Sequence, residues 1–445
     1  MLDYYMTNIP TLNLVKKLSY HNSYLKYVLL FLGLIVWIII PIIGIFPLLL
    51  FIHFNLNSKK NKISVLNLSI LILIAVTTAI FTSSQNIISD TAAYVTRYGD
   101  LGQYSPFELA YGKGVEFILP LLSYPIYIIS NGSKYSFLFC WSLFINLATI
   151  YIAIKLSREN FALILFYTIA NPAFFLQIFL IRQFIASIFV LLALVNLESE
   201  ITTWGFYATS FFTHTTSIMY LPIIIWGIKG TNWIRKLFSI FTNNLVFKIL
   251  VLLLIISAFA IGIQYNALLN FFKVLSGTDF LYSKSQYWSA DNRDAGLGIG
   301  TTRTVEFLTI LLINSFMLQK NHQYSISKNR DLLMSIIFVC LFFLCLITSN
   351  IGGYFSLRIG LLLMGFSGIF YYQLLNKKWK IPDLKNIFIV ISLIFAFLRL
   401  LSFLYNQGKA ELYYLNGQAF ESSILEYIKL AYESFTNDVQ IERFR

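Results

Sequence analysis

The segment VLLFLGLIVWIIIPIIGIFPLLLFIHF, Val28 to Phe54, holds no Asp, Glu, Lys or Arg. About 20 apolar residues suffice for a helix to cross the hydrocarbon core of a bilayer, and this run is longer. Pro41 and Pro47 interrupt it, so it reads as one kinked span or as a tight hairpin. Either way it belongs in lipid. Lys59, Lys60 and Lys62 follow it.

The pattern repeats outward from that segment. Leu66–Phe81, Tyr135–Ile154, Val246–Ile263, Phe307–Leu318, Leu332–Ile347, Leu357–Leu374 and Ile387–Leu404 read as spans. Phe161–Phe179 and Phe184–Leu197 read as a pair of short spans around Arg182. Val115–Ile129 is short and carries Pro120 and Pro125, which suits an interfacial or re-entrant helix. Trp204–Trp226 is interrupted by Thr213-His214-Thr215-Thr216-Ser217 and reads as two half-helices bent at His214. The expected fold is an all-α integral membrane protein, a polytopic helix bundle of about 11–13 membrane segments, some re-entrant. The membrane domain is expected over residues 28–404, after a polar segment 1–27 and before a polar tail 405–445, with outer loops at about 82–134 and 264–303.

Composition agrees. Of 445 residues, 58% are hydrophobic and only 12% charged, against about a quarter charged in soluble domains. The net charge of +13 suggests nucleic acid until the basic residues are placed: they cluster in short connections between apolar runs. The connections Lys59–Lys62, Lys155–Arg158, Lys229–Lys248, Lys320–Arg330 and Lys377–Lys385 are basic and are expected on the cytoplasmic side. Asp90–Glu116, Gln264–Arg303 and the tail are mixed or acidic and are expected outside. The first apolar run begins late, after Lys16, Lys17 and Lys26, and is too long for the core of a signal peptide, so no cleaved leader is expected. Cys140, Cys340 and Cys345 all sit in apolar runs, which implies neither a disulfide framework nor a metal motif.

Ionisable groups at membrane depth cost roughly 2.5–3.5 kcal/mol each on insertion scales, so each is a candidate site residue. Asp90, Tyr94 and Arg97 recur at i, i+4 and i+7 and share a helical face at the expected outer surface. Asp90 there is a candidate general base or, alternatively, a helix cap. Arg182 stands between two apolar runs; its planar fork suits phosphate, and snorkelling to headgroups is the alternative. His214, in mid-bundle, is a candidate proton carrier or interhelical glue. Arg358 opens a late span, and with Arg97, Arg182, Arg293 and Arg303 it makes the outer side rich in arginine. Such a surface suits a lipid pyrophosphate or anionic headgroups. No Walker loop, dinucleotide fingerprint, HExxH or GxSxG is present, and Gly296–Gly300 reads as a flexible outer loop. No cofactor and no metal are expected.

In order, the chain shows Asp90-x-x-x-Tyr94, Gly114-Val115-Glu116-Phe117, Arg182-Gln183 leading into Phe184-Ile185-Ala186, Phe212-Thr213-His214, and Tyr354-Phe355-x-x-Arg358. This order resembles the EpsG-like membrane proteins of bacterial polysaccharide synthesis, grouped with Wzy-type O-antigen and capsule polymerases. The resemblance covers roughly Leu66 to Leu404. It maps the family's Asp-rich outer loop to Asp90 and Tyr94. A Glu-Pro-Gly-like element maps to Glu116, without its Pro, and an Arg-Gln helix start to Arg182 and Gln183. A Phe-His element, one residue looser here, maps to His214.

The resemblance implies a GT-C-like architecture in the bacterial cytoplasmic membrane with a site facing outward. The implied reaction joins undecaprenyl-pyrophosphate-linked oligosaccharide repeat units. Arg182 and Arg358 would stabilise the leaving pyrophosphate, and Asp90 or His214 would be the base if the transfer inverts, whereas a retaining transfer needs none. Tyr94, Arg97, Glu116, Gln183, Arg293 and Arg303 would bind substrate. A chain-length regulator is an implied partner. The competing functions are a flippase for the same lipid-linked sugars, a membrane acyltransferase, and a glycosyltransferase that decorates the polymer from a polyprenyl-phosphate sugar. A flippase would more naturally show repeat-related halves, which this sequence lacks.

Overall fold

A computed structural model of the chain describes residues 10–56, 63–84, 90–229, 306–307, 309–310, 313, 334, 337–342, 360–363, 365–376, 379, 381–409 and 423–437. Arg293, Arg303 and Arg358 lie outside the described residues, as do the expected span Val246–Ile263 and the loop 264–303. The described residues are overwhelmingly helical and contain no strand, only isolated bridges. The chain divides into two compact units, residues 1–88, 133–166 and 401–445, and residues 89–132 and 167–400.

The first unit settles the Val28–Phe54 question. Helix α1 (Pro10–Ile39) ends one residue before α2 (Pro41–Asn55) begins. Between them Ile40 leaves the helical region at φ −137°, ψ 85°. Pro41 is tolerated at the start of α2 because its missing N–H has no intrahelical acceptor there. The two helices turn back on each other as a tight hairpin. A Cβ on Gly44 would fall 2.3 Å from the Trp37 backbone, so only glycine lets the arms meet. The Trp37 indole N–H donates to Thr77 Oγ1 at 2.9 Å, which ties the hairpin to α3 (Val65–Ser83). Helix α3 is capped by Ser64 and packs on α6 (Lys134–Leu156), itself capped by Ser133. The C-terminal helix Ile424–Asn437 rests on this unit through Tyr427, whose ring stacks on Phe81 at 6.3 Å.

Three described helices are long and apolar enough to cross a membrane: α3, α6 and the segment Pro382–Leu404 of a helix running to Lys409. That last helix exposes Ile387, Ile391, Ile394 and Leu398 along one face and buries Ala396 and Leu400 on the other. A helix with an apolar outer face and a packed inner one is what lipid solvation requires. The described residues are those of an α-helical membrane protein.

Two expected spans are broken. Phe161–Phe179 is not one helix: α7 (Phe161–Ile169) stops and a 3-10 turn, Pro172–Leu176, follows. Pro172 disfavours helical geometry at the residue before it, and Asn171 sits at φ −84°, ψ 118°. Asn171 Oδ1 accepts the Ala173 N–H at 3.2 Å, and its amide donates to Ser367 Oγ at 3.0 Å. Irregular backbone at membrane depth survives only when buried in protein, and nearly every residue from 161 to 181 is buried. The run Leu357–Leu374 is likewise split, into short helices Ser367–Phe370 and Tyr372–Asn376. Helix α5 (Ile118–Ile129) has 12 residues, about 18 Å at 1.5 Å per residue, too short to cross a core of about 30 Å.

Candidate functional site

The site lies within the second unit and is built on four pieces. Helix α4 (Asp90–Gly99) carries Tyr94 and Arg97, and Thr91 anchors it by donating to the Ile178 carbonyl at 3.0 Å. Helix α8 (Ile181–Val195) starts where the broken segment ends, which places Arg182 in its first turn. Helix α9 (Glu200–Thr213) ends at His214, which leaves the helical region at φ −155°, ψ 118° and opens the 3-10 turn Thr215–Tyr220 that leads into α10 (Leu221–Lys229). The bend at His214 is held by Ser210 Oγ, bonded to Ser217 Oγ at 2.7 Å, and by Tyr207 OH, which donates to the Ser217 carbonyl at 3.2 Å.

The fourth piece is the loop Tyr111–Glu116. Its two ends form an isolated bridge, with Tyr111 N–H to Glu116 O at 3.0 Å and Glu116 N–H to Tyr111 O at 3.1 Å. Closing so short a loop requires left-handed backbone at Gly112 (φ 57°), Lys113 (φ 58°) and Gly114 (φ 92°). Glycine adopts that region freely, whereas a lysine there is strained by roughly 1–2 kcal/mol. The loop thereby turns Glu116 inward and leaves Lys113 exposed at its tip.

Glu116 is the centre of the cluster and is only 2% exposed. Its Oε1 accepts three hydrogen bonds at 2.8 Å, from His214 Nδ1, the Thr215 N–H and the Thr215 hydroxyl. Its Oε2 pairs with Arg182 Nη1. Arg182 Nε also reaches the Tyr94 hydroxyl at 3.5 Å. The Arg182 guanidinium lies 4.2 Å from the Tyr111 ring centre, and Arg97 lies over the same ring at the same distance. Cation–π contacts of this kind contribute about 0.5–2 kcal/mol each. Arg97 further donates to the carbonyls of Leu109 and Ala110 at 3.3 Å.

The electrostatics follow from these contacts. Burial alone would push the Glu116 carboxyl up, but the His214 hydrogen bond, the Thr215 N–H and the Arg182 charge outweigh it and hold the pKa at about 2. Burial pushes the Tyr111 phenol well above its usual range, so the ring under the two guanidiniums stays neutral. A carboxylate only accepts hydrogen bonds, so His214 Nδ1 must be the donor, which leaves Nε2 as the ring nitrogen that faces away from Glu116. Glu116 itself, with both oxygens engaged, is an orienting anion rather than a base. Two guanidiniums against one carboxylate leave the cluster net positive.

The structure thus brings together Tyr94, Arg97, Glu116, Arg182 and His214. Asp90 is the half-buried first residue of α4, at the start of the face that carries Tyr94 and Arg97. Gln183 follows Arg182 but is buried on another side of α8. Thr215 and Tyr111 belong to the cluster without having been singled out in the sequence. Thr215 had the signal of its place next to His214. Tyr111 had none, because its role depends on the loop closing.

No curated protein and no solved structure matches the chain. One family model does, over residues 67–416, a stretch that holds the whole cluster, and the chain therefore belongs to the EpsG family.

Proposed function

We propose that this protein is a glycosyltransferase that polymerises undecaprenyl-pyrophosphate-linked oligosaccharide repeat units on the outer face of the bacterial cytoplasmic membrane. Family membership supplies the coarser part of this reading, a membrane protein of polysaccharide synthesis. The observation that carries the finer part is the carboxylate of Glu116 holding an arginine on one oxygen and a histidine on the other. A net-positive site with an oriented imidazole suits a transfer whose leaving group is a pyrophosphate.

In the proposed step an acceptor hydroxyl oxygen attacks the anomeric carbon of the donor. The bond between that carbon and the pyrophosphate oxygen breaks, and the lipid pyrophosphate leaves with both electrons. The hydroxyl proton passes to His214 Nε2, a general-base role worth about 10²–10⁴ in rate. Arg182, with Arg97 beside it, stabilises the charge that develops on the leaving oxygens. Glu116 keeps the imidazole in the tautomer that accepts this proton.

The test is the length profile of surface polysaccharide in a deletion strain complemented with wild type, Arg182→Ala or His214→Ala. The expected result is a full ladder from wild type and single repeat units from either variant. If the deletion strain exports no single repeat unit at all, transport is the lost step and the polymerase reading gives way to a flippase.

A further inference from the structure

A small cavity is lined by residues that directly follow two site residues in the sequence. Gln183 follows Arg182 on α8, and Thr216 and Ser217 follow Thr215 in the 3-10 turn; Ser187, Met219 and Leu361 complete the lining that matters here. Its volume is about 20 Å³, enough for one water-sized group. Gln183 is 8% exposed, and its Oε1 has no hydrogen-bond partner among the described residues. A buried amide oxygen without a donor is uncommon and calls for an occupant. Rotating the amide would present the NH₂ instead, which equally needs a partner.

The lining selects among occupants. None of these side chains is charged, so a free ion has no counter-charge there. The polar lining from Gln183, Ser187 and Thr216, with Ser217 already bonded to Ser210, is joined by apolar surface from Met219 and Leu361. That mixture matches a sugar substituent, with a hydroxyl to bond and carbon-bound hydrogens to pack. A whole pyranose ring is far too large for the space.

We propose that this cavity is a specificity pocket that takes one hydroxyl-bearing arm of the acceptor sugar, bound to Gln183, and so sets the ring's register against His214. The inference rests on the polymerase reading. Without acceptor the pocket holds a water, which the arm displaces. An acceptor lacking that hydroxyl leaves Gln183 unpaired and is rejected.

The test uses the full chain in lipid nanodiscs. The donor is lipid-linked repeat unit extracted from the deletion strain, held at saturation. The acceptor is the same oligosaccharide released from its lipid by mild acid and tagged at its reducing end. Gln183→Met removes the polar atom at nearly constant length, and Ser187→Val fills the space. Each variant is expected to raise the acceptor KM about tenfold, the size of one lost buried hydrogen bond, while kcat stays within about twofold. Thermal unfolding of each variant identifies any that has lost its fold, and the other then stands as the test. Unchanged KM in a folded variant overturns the pocket, as does a fall in kcat at constant KM, which would mark a role in holding Arg182. If wild type itself fails to extend the tagged acceptor, the polymerase reading falls instead.

Discussion

At the scale of single residues, the cluster depends on Glu116 remaining ionised. Its folded pKa of about 2 lies below the unfolded value near 4.5. A depressed carboxyl pKa contributes stability that is fully present above the unfolded value and is lost as pH falls through the folded one. The Glu116 contribution should therefore be constant from neutral pH down to about 4.5 and disappear between there and about 2. Glu116→Gln should lower activity throughout pH 5 to pH 8, measured as initial rates, because the wild-type carboxylate is ionised over that whole range; full activity in the variant would show that the charge of Glu116 is not needed. The same substitution leaves Arg182 and His214 beside a neutral amide, and breaking a buried pair in this way costs about 3–5 kcal/mol. His214→Ala should lose rate by the general-base factor with a smaller loss of stability, because Thr215 and Arg182 still satisfy the carboxylate.

At the scale of elements, two short pieces of backbone are decisive. The loop Tyr111–Glu116 needs left-handed residues at its tip. Gly114 has open space where a Cβ would go, yet its φ of 92° excludes side chains. Gly114→Ala should therefore cost about 1–2 kcal/mol and lower activity by moving Glu116, seen as a reduced melting temperature together with a shortened polysaccharide ladder. The hairpin α1–α2 makes a different demand. A methyl on Gly44 meets the Trp37 backbone itself, which cannot swing aside like a side chain. Gly44→Ala should destabilise the protein by about 1–3 kcal/mol, measured by thermal unfolding in detergent, and leave the KM of surviving enzyme unchanged.

The element scale also shows where sequence reading stopped. The apolar run Phe161–Phe179 has the composition of a span, and composition cannot register that Asn171-Pro172 breaks it. The break is stable because Asn171 finds Ser367, a partner 196 positions away. Val28–Phe54 posed the same problem with two prolines. The hairpin was one of the two readings, and the choice was made by Gly33 and Gly44, whose missing side chains admit the facing helix.

At the scale of the whole molecule, the described part of the bundle holds a second, half-buried ion pair. Arg399, on the inner face of the helix Pro382–Lys409, pairs with Glu306, whose other oxygen accepts from Tyr371 OH at 2.9 Å. Tyr371 stacks on Tyr167 at 4.1 Å, and Tyr167 OH bonds to Ser392 Oγ at 2.6 Å. These contacts join segments far apart in the chain at membrane depth. Arg399→Leu should destabilise the protein because it strands a half-buried carboxylate, by less than the roughly 3–5 kcal/mol of a fully buried pair, whereas Arg399→Leu with Glu306→Leu should recover most of that loss. Thermal unfolding of the two variants measures this directly; equal losses would show that the pair contributes more than mutual neutralisation.

The sequence by itself determined the solvent of this protein. Apolar runs of sufficient length, with basic clusters between them, have no stable arrangement in water, and that argument needs no tertiary information. It also singled out Tyr94, Arg97, Arg182 and His214, because charged and polar groups in such surroundings carry an insertion cost that calls for a role, while Glu116 entered only through the family resemblance. Only the tertiary structure decided how they act together. Glu116, Arg182 and His214 are separated by 66 and 98 positions from Glu116 outward, and no local pattern encodes that one carboxylate will engage both of the others. The proposed division of roles between Glu116 and His214 rests on which atoms face each other. That is a property of packed side chains, and it exists only once the bundle has closed around them.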